Sequence, residues 1–451
     1  MEVAAGSVVP RVPQGDARIR YRFSLGVVVS RSFTRPTQDL SGDSGVVQGS
    51  PTAPDRRAVP LEGAAFAADP GLFYEQVRGR FGPLAPVTLA GDVPATLVTG
   101  HSNALKILYD GEKYSADPRA WQEQVPTECP VRPMLEWRPT AARGSAADHD
   151  RYRRVVVDTL DRVDLHAVQS RAEHVAVGLI NAFCEGGQAD LRANYGVPLV
   201  YAVLGQIVGV SMEATAPLYQ SLTEHMTATD AQTAARGYEL ASAVLAEVVA
   251  QHKVAPAEDV VTWLLRHPVG LTDDEVVHQL VELYLFGAEP TISLLMNTLR
   301  LLFTDERFTG EVLGGVVPAR EAVEETLFLD PPVANGCVRY LTAPRLDGVW
   351  LPAHQPVIIG IKAVNGDPAI HTTERIGNRA HLAWGAGKHQ CPSSVLATLI
   401  ATTGLEQLLD ALPEMQLAIP ADQLAWFPTP FLRALSALPV TFTPAPPLHL
   451  S

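Results

Sequence analysis

Apolar residues recur every three or four positions along most of the chain beyond residue 60, a spacing that places them on one face of an α-helix. Apolar and polar residues alternate only in short segments at 84–89, 94–99 and 338–361, which predict strands. Longer helices are predicted at 147–163, 167–184, 196–208, 212–229, 233–254, 272–303, 318–328 and 392–412. The pattern therefore predicts a mainly α fold with small β-sheets.

Local signals indicate where several helices begin. Asp69 followed by Pro70 predicts a cap and a first turn. Residues 272–275, Thr-Asp-Asp-Glu, form a capping box with an acidic first turn, and they begin the longest predicted helix. Gly287 and Pro290 are expected to interrupt that helix, and the last helix is expected to begin at Pro392.

Two segments lack a regular period. Residues 1–57 are rich in Gly, Ser, Pro, Val and Arg, and we expect them to be a disordered N-terminal extension ahead of a single domain at 58–448. Residues 112–146 carry five prolines together with Trp121 and Trp137. The two tryptophans favour a functional loop over a disordered one.

Composition narrows the class of protein. The 451 residues are 47% hydrophobic and 19% charged, which is typical of a globular chain, and the formal net charge of −14 argues against nucleic-acid binding. The four cysteines show no paired spacing, so we expect reduced thiols and a cytoplasmic setting. Because no stretch reaches the roughly 20 apolar residues of a membrane span, we expect no membrane anchor.

The clearest chemical feature is the segment 381–392, which reads His-Leu-Ala-Trp-Gly-Ala-Gly-Lys-His-Gln-Cys-Pro. Its two glycines, Gly385 and Gly387, permit a tight turn. Cys391 stands at the predicted start of the last helix, where free amide groups favour negative charge and therefore stabilise a thiolate. A thiolate in this position is able to bind ferric iron.

Two other interpretations of Cys391 remain open on spacing alone. A lone cysteine is most often a residue of the apolar core. Alternatively, His381, His389 and Cys391 could hold zinc, although a fourth ligand is missing and the His-x-Cys spacing is not that of common zinc loops.

The segment 384–393 resembles the cysteine loop of the cytochrome P450 superfamily, Phe-x-x-Gly-x-His/Arg-x-Cys-x-Gly, with Trp384 in place of Phe and Ser393 in place of the last Gly. Four further segments resemble the family in the same order along the chain. They are His-x-x-x-Arg at 149–153, a helix at 321–325 with a loop at 330–333, Arg339, and the strand pair 346–352. The resemblance covers about residues 58–445.

This resemblance implies a cytochrome P450 fold with heme b between the long central helix and the cysteine-loop helix. It implies that Cys391 is the axial ligand of the heme iron. It also implies charge-assisted bonds to the two heme propionates. The implied cofactor-binding residues are His149, Arg153, Gly287, Arg339, Trp384, Gly385, His389 and Cys391.

One departure from the family concerns the helix before the Pro-Pro loop. The family usually has Glu-x-x-Arg there, whereas this chain has Glu325-Thr-Leu-Phe328 and lacks the arginine. We hypothesise that Phe328 packs into the vacated space and that Glu325 pairs with Arg375 or Arg379.

A second departure lies in the central helix, where residues 286–291 read Phe-Gly-Ala-Glu-Pro-Thr in place of Ala-Gly-x-Asp/Glu-Thr-Thr. The resemblance implies that Glu289, Pro290 and Thr291 are the catalytic residues. We expect Glu289 to relay protons, Pro290 to kink the helix and Thr291 to replace the missing hydroxyl. Both departures, with the tryptophan-containing loop, resemble an atypical actinobacterial branch.

The resemblance further implies a monooxygenase that activates O2 to oxidise a small organic molecule of the natural-product type, with ferredoxin and ferredoxin reductase as electron donors. One alternative is oxidative coupling of aromatic side chains in a short peptide or carrier-bound substrate; another is a heme-binding scaffold or sensor. A monomer is expected. The expected substrate contacts are Trp121, Trp137, Phe286, Val333, Asn335 and Phe431.

Overall fold

The computed structural model describes residues 58–62, 66, 69–305, 318–342, 351–370 and 378–449. The expected N-terminal extension at 1–57 lies outside the described residues. So do residues 343–350, which hold most of the predicted strand pair 346–352, and residues 371–377, which include Arg375.

Helices form most of the described chain, as the spacing of apolar residues predicts. Their bounds are α1 Pro70–Phe81, α2 His101–Tyr109, α3 Arg119–Gln122, α4 Arg132–Leu135, α5 Ala146–Leu160, α6 Leu165–Ile180, α7 Val197–Val208, α8 Met212–Thr227, α9 Ala231–Val254, α10 Val260–Leu265, α11 Asp273–Thr304, α12 Ala319–Leu329, α13 Ile361–Asn365 and α14 Ser394–Ala411. Short 3-10 turns lie at Cys184–Gly186, Gly387–His389 and Ala421–Gln423, and a π-helical turn lies at Arg192–Gly196.

The strands form two small sheets. Their bounds are β1 Val59–Pro60, β2 Leu84–Leu89, β3 Val93–Val98, β4 Tyr114–Ser115, β5 Gln188–Asp190, β6 Gly336–Leu341, β7 Pro356–Ile359, β8 Gln416–Leu417 and β9 Pro439–Thr441. The larger sheet has the order β1-β2-β3-β7-β6-β4, and the smaller has the order β5-β9-β8. The pairing of β6 with β7 shifts register between Gly336 and Arg339, and Cys337 within this bulge has a φ of 47°.

The 32-residue helix α11 runs through the core of the molecule. Most of its apolar side chains are buried, as is typical of a central helix, and α7, α9, α12 and α14 pack against it. Thr272 and Glu275 form the predicted capping box at its start, because each side chain accepts a hydrogen bond from the other residue's backbone. The predicted cap of α1 is also present, since Asp69 accepts a hydrogen bond from the backbone of Leu72 at 3.0 Å.

Two expectations about helix ends were wrong. Helix α11 continues through Gly287 and Pro290 without interruption, because the buried turns on either side of them outweigh the hydrogen bond that the proline cannot donate. The last helix begins at Ser394 rather than at Pro392, since the backbone of Cys391 bonds back to the carbonyl of Trp384 at 2.8 Å.

Among the described residues, no single helix has the length and apolar composition of a bilayer span. One pair, Arg192–Val208 with Met212–Thr227, passes that test only when its two helices are taken together across a bend of 118°.

Candidate active site

A cavity of about 430 Å³ lies between α11, the cysteine segment ahead of α14, the bulge of β6 and the loop 133–143. Most of the residues singled out from the sequence line it, and they come from segments far apart along the chain. These lining residues are His149, Arg153, Phe286, Gly287, Pro290, Thr291, Val333, Asn335, Arg339, Trp384, Gly385, His389, Cys391 and Phe431.

The cysteine segment folds into a tight turn that brings Cys391 to this cavity. Gly385 and Gly387 both have left-handed backbone conformations, with φ of 68° and 70°, which L side chains rarely adopt. The turn is closed by a hydrogen bond from the backbone of Cys391 to the Trp384 carbonyl. The Ser393 hydroxyl lies 3.5 Å from the Cys391 sulfur. The sequence therefore places a thiol at the cavity wall.

Four basic side chains, His149, Arg153, Arg339 and His389, line the same region of the cavity. The rings of His149 and His389 lie 4.1 Å apart between centroids. Nε2 of His149 and Nη2 of Arg339 are buried and have no hydrogen-bond partner within the part of the chain that the structure describes. Nη2 of Arg339 is therefore a buried donor that requires an acceptor, and Nε2 of His149 becomes a second one when the ring is protonated, because Nδ1 already faces Asp150 at 3.2 Å.

The pKa values in this cluster of four basic residues also reflect their burial. Burial, together with the positive charges of Arg339 and His149, lowers the pKa of His389 to about 2. Burial also lowers the pKa of His149 and of Arg339. A group with two carboxylates would satisfy the orphaned donors and oppose these shifts, so the cluster fits the propionates of a heme.

The surface of α11 that faces the cavity is open at Gly287. A Cβ atom built on Gly287 would meet no other atom within 4 Å, so a flat group has room to approach the helix here. The hydroxyl of Thr291 lies one turn further along and donates to the Gly287 carbonyl at 2.7 Å. Pro290 and Thr291 thus lie at the cavity as expected.

Glu289 does not lie at this cavity, contrary to the expectation of a proton relay there. Its two carboxylate oxygens accept hydrogen bonds from Arg192, each at 2.9 Å, and a third bond comes from the Ser293 hydroxyl at 3.0 Å. Both charged side chains are at least 95% buried, with exposures of 3% and 5%. Adjacent residues on a helix point in directions about 100° apart, so Glu289 faces Arg192 while its neighbour Pro290 faces the cavity.

Trp121 and Trp137 do not line the cavity either, although both were expected to contact substrate. Trp121 is 3% exposed and packs 5.8 Å from the ring of Tyr340, within the apolar cluster beside the larger sheet. The ring of Trp137 lies 5.1 Å from the Arg119 guanidinium. Trp121 is buried and Trp137 is partly buried because these large rings remove more apolar surface from water than the other side chains of the loop do.

Asn335 lines the cavity, but its amide is engaged in the fold. It accepts a hydrogen bond from the Tyr74 hydroxyl at 2.8 Å and donates to the Pro430 carbonyl at 2.6 Å. Asn335 therefore shapes the wall around Phe431 and has little remaining capacity to recognise a ligand.

Helix α12, which lacks the arginine that is usual in the family, is connected to the cysteine segment and the residues just before it by other ion pairs and a ring contact. Arg379 donates to Glu321 at 2.6 Å and lies 3.4 Å from Glu324. His381 also contacts Glu324 at 3.4 Å, and the edge of its ring packs against Phe328 with 5.0 Å between centroids. Among the described residues no group of three His, Cys, Asp or Glu side chains is arranged to hold a metal, and His381 faces Glu324.

Sequence reasoning missed several polar residues of the cavity wall, notably Arg138, Arg143 and Glu282. The sequence did contain a signal for Glu282. Glu282, Phe286 and Pro290 follow one another at intervals of one helical turn, so they share a face of α11. Nothing in the loop sequence indicated which of its arginines would face inward.

A thiol at the wall, a cluster of basic residues without a matching anion and an open helix surface together fit a thiolate-ligated heme.

Three relatives of known activity are similar over much of their length. Cytochrome P450 monooxygenase PikC of Streptomyces venezuelae is 27% identical over 412 residues, covering 87% of this chain and 96% of the relative. 6-deoxyerythronolide B hydroxylase of Saccharopolyspora erythraea is 26% identical over 408 residues, covering 86% and 98%. Steroid C26-monooxygenase of Mycobacterium tuberculosis is 30% identical over 290 residues, covering 60% and 77%.

Solved structures agree with these relatives. CYP154C4 from Streptomyces sp. W2061 superposes with a TM-score of 0.77 at 25% identity, covering 85% of this chain and 98% of the other. No protein-family model matches the chain. The chain belongs to the cytochrome P450 superfamily. It is therefore an oxidoreductase of the P450 monooxygenase class, with heme b as its cofactor and the mainly α P450 fold.

Proposed function

We propose that this chain inserts oxygen from O2 into an apolar natural product, with electrons from a ferredoxin and its reductase. The observation that carries the proposal is the placement of Cys391 and the cluster of four basic residues in one cavity whose remaining wall is largely apolar. The relatives named above are monooxygenases and hydroxylases, one of them of a steroid. They give no support to aromatic coupling or to a sensor role.

In this proposal Cys391 would ligate the heme iron, and His149, Arg153, Arg339 and His389 would hold its propionates. The heme, when bound, supplies the activation of O2. The protein supplies the shape of the cavity and a hydroxyl for proton movement.

That hydroxyl is the one on Thr291. It already donates to the Gly287 carbonyl, so its oxygen is oriented with free lone pairs that accept from a water or a ligand in the cavity. Glu289 does not line the cavity, and its carboxylate accepts three hydrogen bonds from Arg192 and Ser293, so we assign it no contact with the substrate. Thr291 is therefore the proton-handling residue we propose in place of Glu289.

The proposed donors work in the cytoplasm, so the proposal places this chain there as a monomer that meets its ferredoxin transiently. Neither the cytoplasmic location nor the monomeric state changes which residues line the cavity.

The proposal is tested on the heme-loaded protein and on Cys391→Ser. Reduced under carbon monoxide, the wild-type protein is expected to show the Soret band typical of a thiolate-ligated carbonyl complex, and Cys391→Ser is expected to lose it. Ferredoxin-driven turnover with isotopically labelled O2 should add one labelled oxygen atom to the product. A variant that keeps the wild-type spectrum, or product without the label, would contradict the proposal.

A further inference from the structure

The cavity carries a second group of charged residues that the heme site does not explain. We call it the polar wall, and it consists of Glu136, Arg138, Arg143, Tyr238 and Glu282. It is contributed by the loop 133–143, by α9 and by the first half of α11. Charged side chains in an otherwise apolar cavity need partners, and the two arginines of the polar wall differ in theirs.

Arg138 is neutralised within the polar wall. Its guanidinium donates to Glu136 at 2.5 Å and stacks over the ring of Tyr238, with 4.3 Å between the guanidinium carbon and the ring centroid. The carboxylate balances its charge and the ring covers one face of the guanidinium, although its Nε is buried without a hydrogen-bond partner among the described residues.

Arg143 differs from Arg138 because no carboxylate forms an ion pair with it among the described residues. Its guanidinium donates to the Met134 carbonyl at 2.5 Å, and the guanidinium carbon lies 6.0 Å from the centroid of the Phe286 ring. Phe286 is 52% exposed and lines the cavity, so Arg143 lies beside the space that a ligand would fill. A half-buried guanidinium with one neutral partner retains most of its capacity to bind an anion.

Glu282 does not cancel this charge. Its carboxyl group accepts a hydrogen bond from the Thr140 hydroxyl at 2.6 Å, and no ion pair joins it to Arg143 within the described ranges. Burial raises the pKa of Glu282, which favours its neutral form, although Arg143 acts in the opposite direction. Arg143 is therefore the cation of the polar wall that forms no ion pair with a carboxylate among the described residues.

The position of Arg143 relative to α11 indicates how a ligand would lie. Phe286, which Arg143 flanks, precedes Pro290 by one helical turn, a rise of about 6 Å. Gly287, where the helix surface is open, comes directly after Phe286, and Thr291 comes directly after Pro290. A molecule anchored at Arg143 would therefore extend its apolar part along Phe286 toward the region that faces Cys391.

We propose that Arg143 is a carboxylate-binding residue of the substrate cavity, and hence that the substrate is a largely apolar carboxylic acid. This inference rests on the proposed function, since it assigns the class of substrate to the same cavity. The rival role for Arg143 is a further contact to a heme propionate, because its charge also acts on Arg339. The experiment must separate these two carboxylates.

The test titrates the heme-loaded protein with matched pairs of ligands, each an acid and its methyl ester: dodecanoate, 4-phenylbutanoate and deoxycholate. Binding is followed by the change in heme absorbance and by calorimetry. In the wild-type protein at least one acid should bind more tightly than its ester. Arg143→Gln should weaken that acid by about 10- to 100-fold, the range for a charge-assisted hydrogen bond, and leave the ester unchanged. Arg143→Lys should recover part of the loss.

Arg138→Gln is the matched control, because it removes an arginine from the same wall whose charge Glu136 already balances. It should change the acid and the ester by equal factors. Heme content and the carbonyl spectrum are measured for every variant. If no wild-type acid outbinds its ester, or if Arg143→Gln weakens both ligands equally or loses heme, the inference is overturned. The proposed function would fail separately, by the absence of a thiolate-type spectrum in the wild-type protein.

Discussion

At position 289 the chain buries a full negative charge and opposes it with the guanidinium of Arg192. Arg192 lies in the π-helical turn before α7, and its backbone is held by the carboxylate of Asp190 at 3.0 Å. The guanidinium also lies 4.9 Å from the ring centroid of Phe427. This ion pair joins α11 to the chain between β5 and α7, so its role in this structure is to fix those segments together.

We expect Arg192→Met to lower the free energy of unfolding by about 3–5 kcal/mol, because it leaves the Glu289 carboxylate buried without its partner. The double variant Arg192→Met with Glu289→Met should recover a large part of that loss, since neither buried charge then remains. Urea denaturation of the heme-loaded proteins measures both values. A single variant within about 1 kcal/mol of wild type would show that the carboxylate finds water or another donor.

Among individual residues, those whose chemistry depends on a short local motif were predictable from the sequence. Cys391 and His389 lie two residues apart in a glycine-rich turn, so their shared location follows from the chain itself. Glu289 and Arg143 show where this reasoning fails. Which way Glu289 points depends on Arg192, a residue 97 positions away, and no local pattern encodes that contact.

At the scale of elements, the start of α11 is joined to α5 by a second ion pair that is partly exposed. Arg151 donates to both carboxylate oxygens of Glu275, and the Tyr152 hydroxyl donates to one of them at 2.9 Å. The hydrogen bonds from Arg151, with those of Thr272 and Tyr152, lower the pKa of Glu275 from 4.5 to about 2. A carboxyl group whose pKa is lowered on folding stabilises the fold above its unfolded pKa.

We therefore expect the contribution of Glu275 to be complete above about pH 4.5 and to disappear as the pH falls toward about 2. Glu275→Gln keeps an oxygen for the capping box but loses the ion pair, so it should be about 1 kcal/mol less stable at neutral pH. Denaturation curves over this pH range measure the difference between the two proteins, which should shrink as the solution is acidified.

Asp274→Asn is the control for that experiment, since Asp274 is 81% exposed in the same helical turn and does not contact Arg151. It removes a similar charge near the helix start and reports the dipole effect together with the contact of Asp274 to His278 at 3.8 Å. A difference between Glu275→Gln and wild type that persists unchanged to about pH 2 would mean that the ion pair is not its source.

Most elements of the fold could be predicted because their apolar faces repeat with the period of a helix or strand. The strands predicted at 84–89 and 94–99 were found at Leu84–Leu89 and Val93–Val98, and the helix predicted at 318–328 was found at Ala319–Leu329. The errors fall where a contact from elsewhere decides the structure. Pro290 stays helical because the core holds the turns of α11 on either side of it, and Pro392 stays outside α14 because Cys391 bonds back to Trp384.

For the whole molecule, the cavity lies where separate apolar clusters meet. One cluster is built from the long helices and reaches the cavity through Leu294 and Ile400, and another surrounds the larger sheet and reaches it through Cys337 and Ile361. A cofactor in this position would contact both clusters at once. Because a ligand that binds only the folded state adds to its stability, heme should stabilise the molecule as a whole rather than one element.

We expect removal of heme to lower the midpoint of thermal unfolding by several degrees, at roughly 1–2 °C per kcal/mol of lost binding energy for a chain of this length. Arg153→Ala should retain less heme and unfold nearer to the heme-free protein, since Arg153 faces the cavity beside Cys391. Arg154→Ala is its matched control, because Arg154 is the next residue of α5, is 72% exposed and lies 3.7 Å from Asp158. Calorimetry and heme absorbance on the same samples would measure both effects. If both variants lost the same amount of heme, or if the unfolding midpoint did not depend on heme, the cluster of basic residues would not be the link between heme binding and stability.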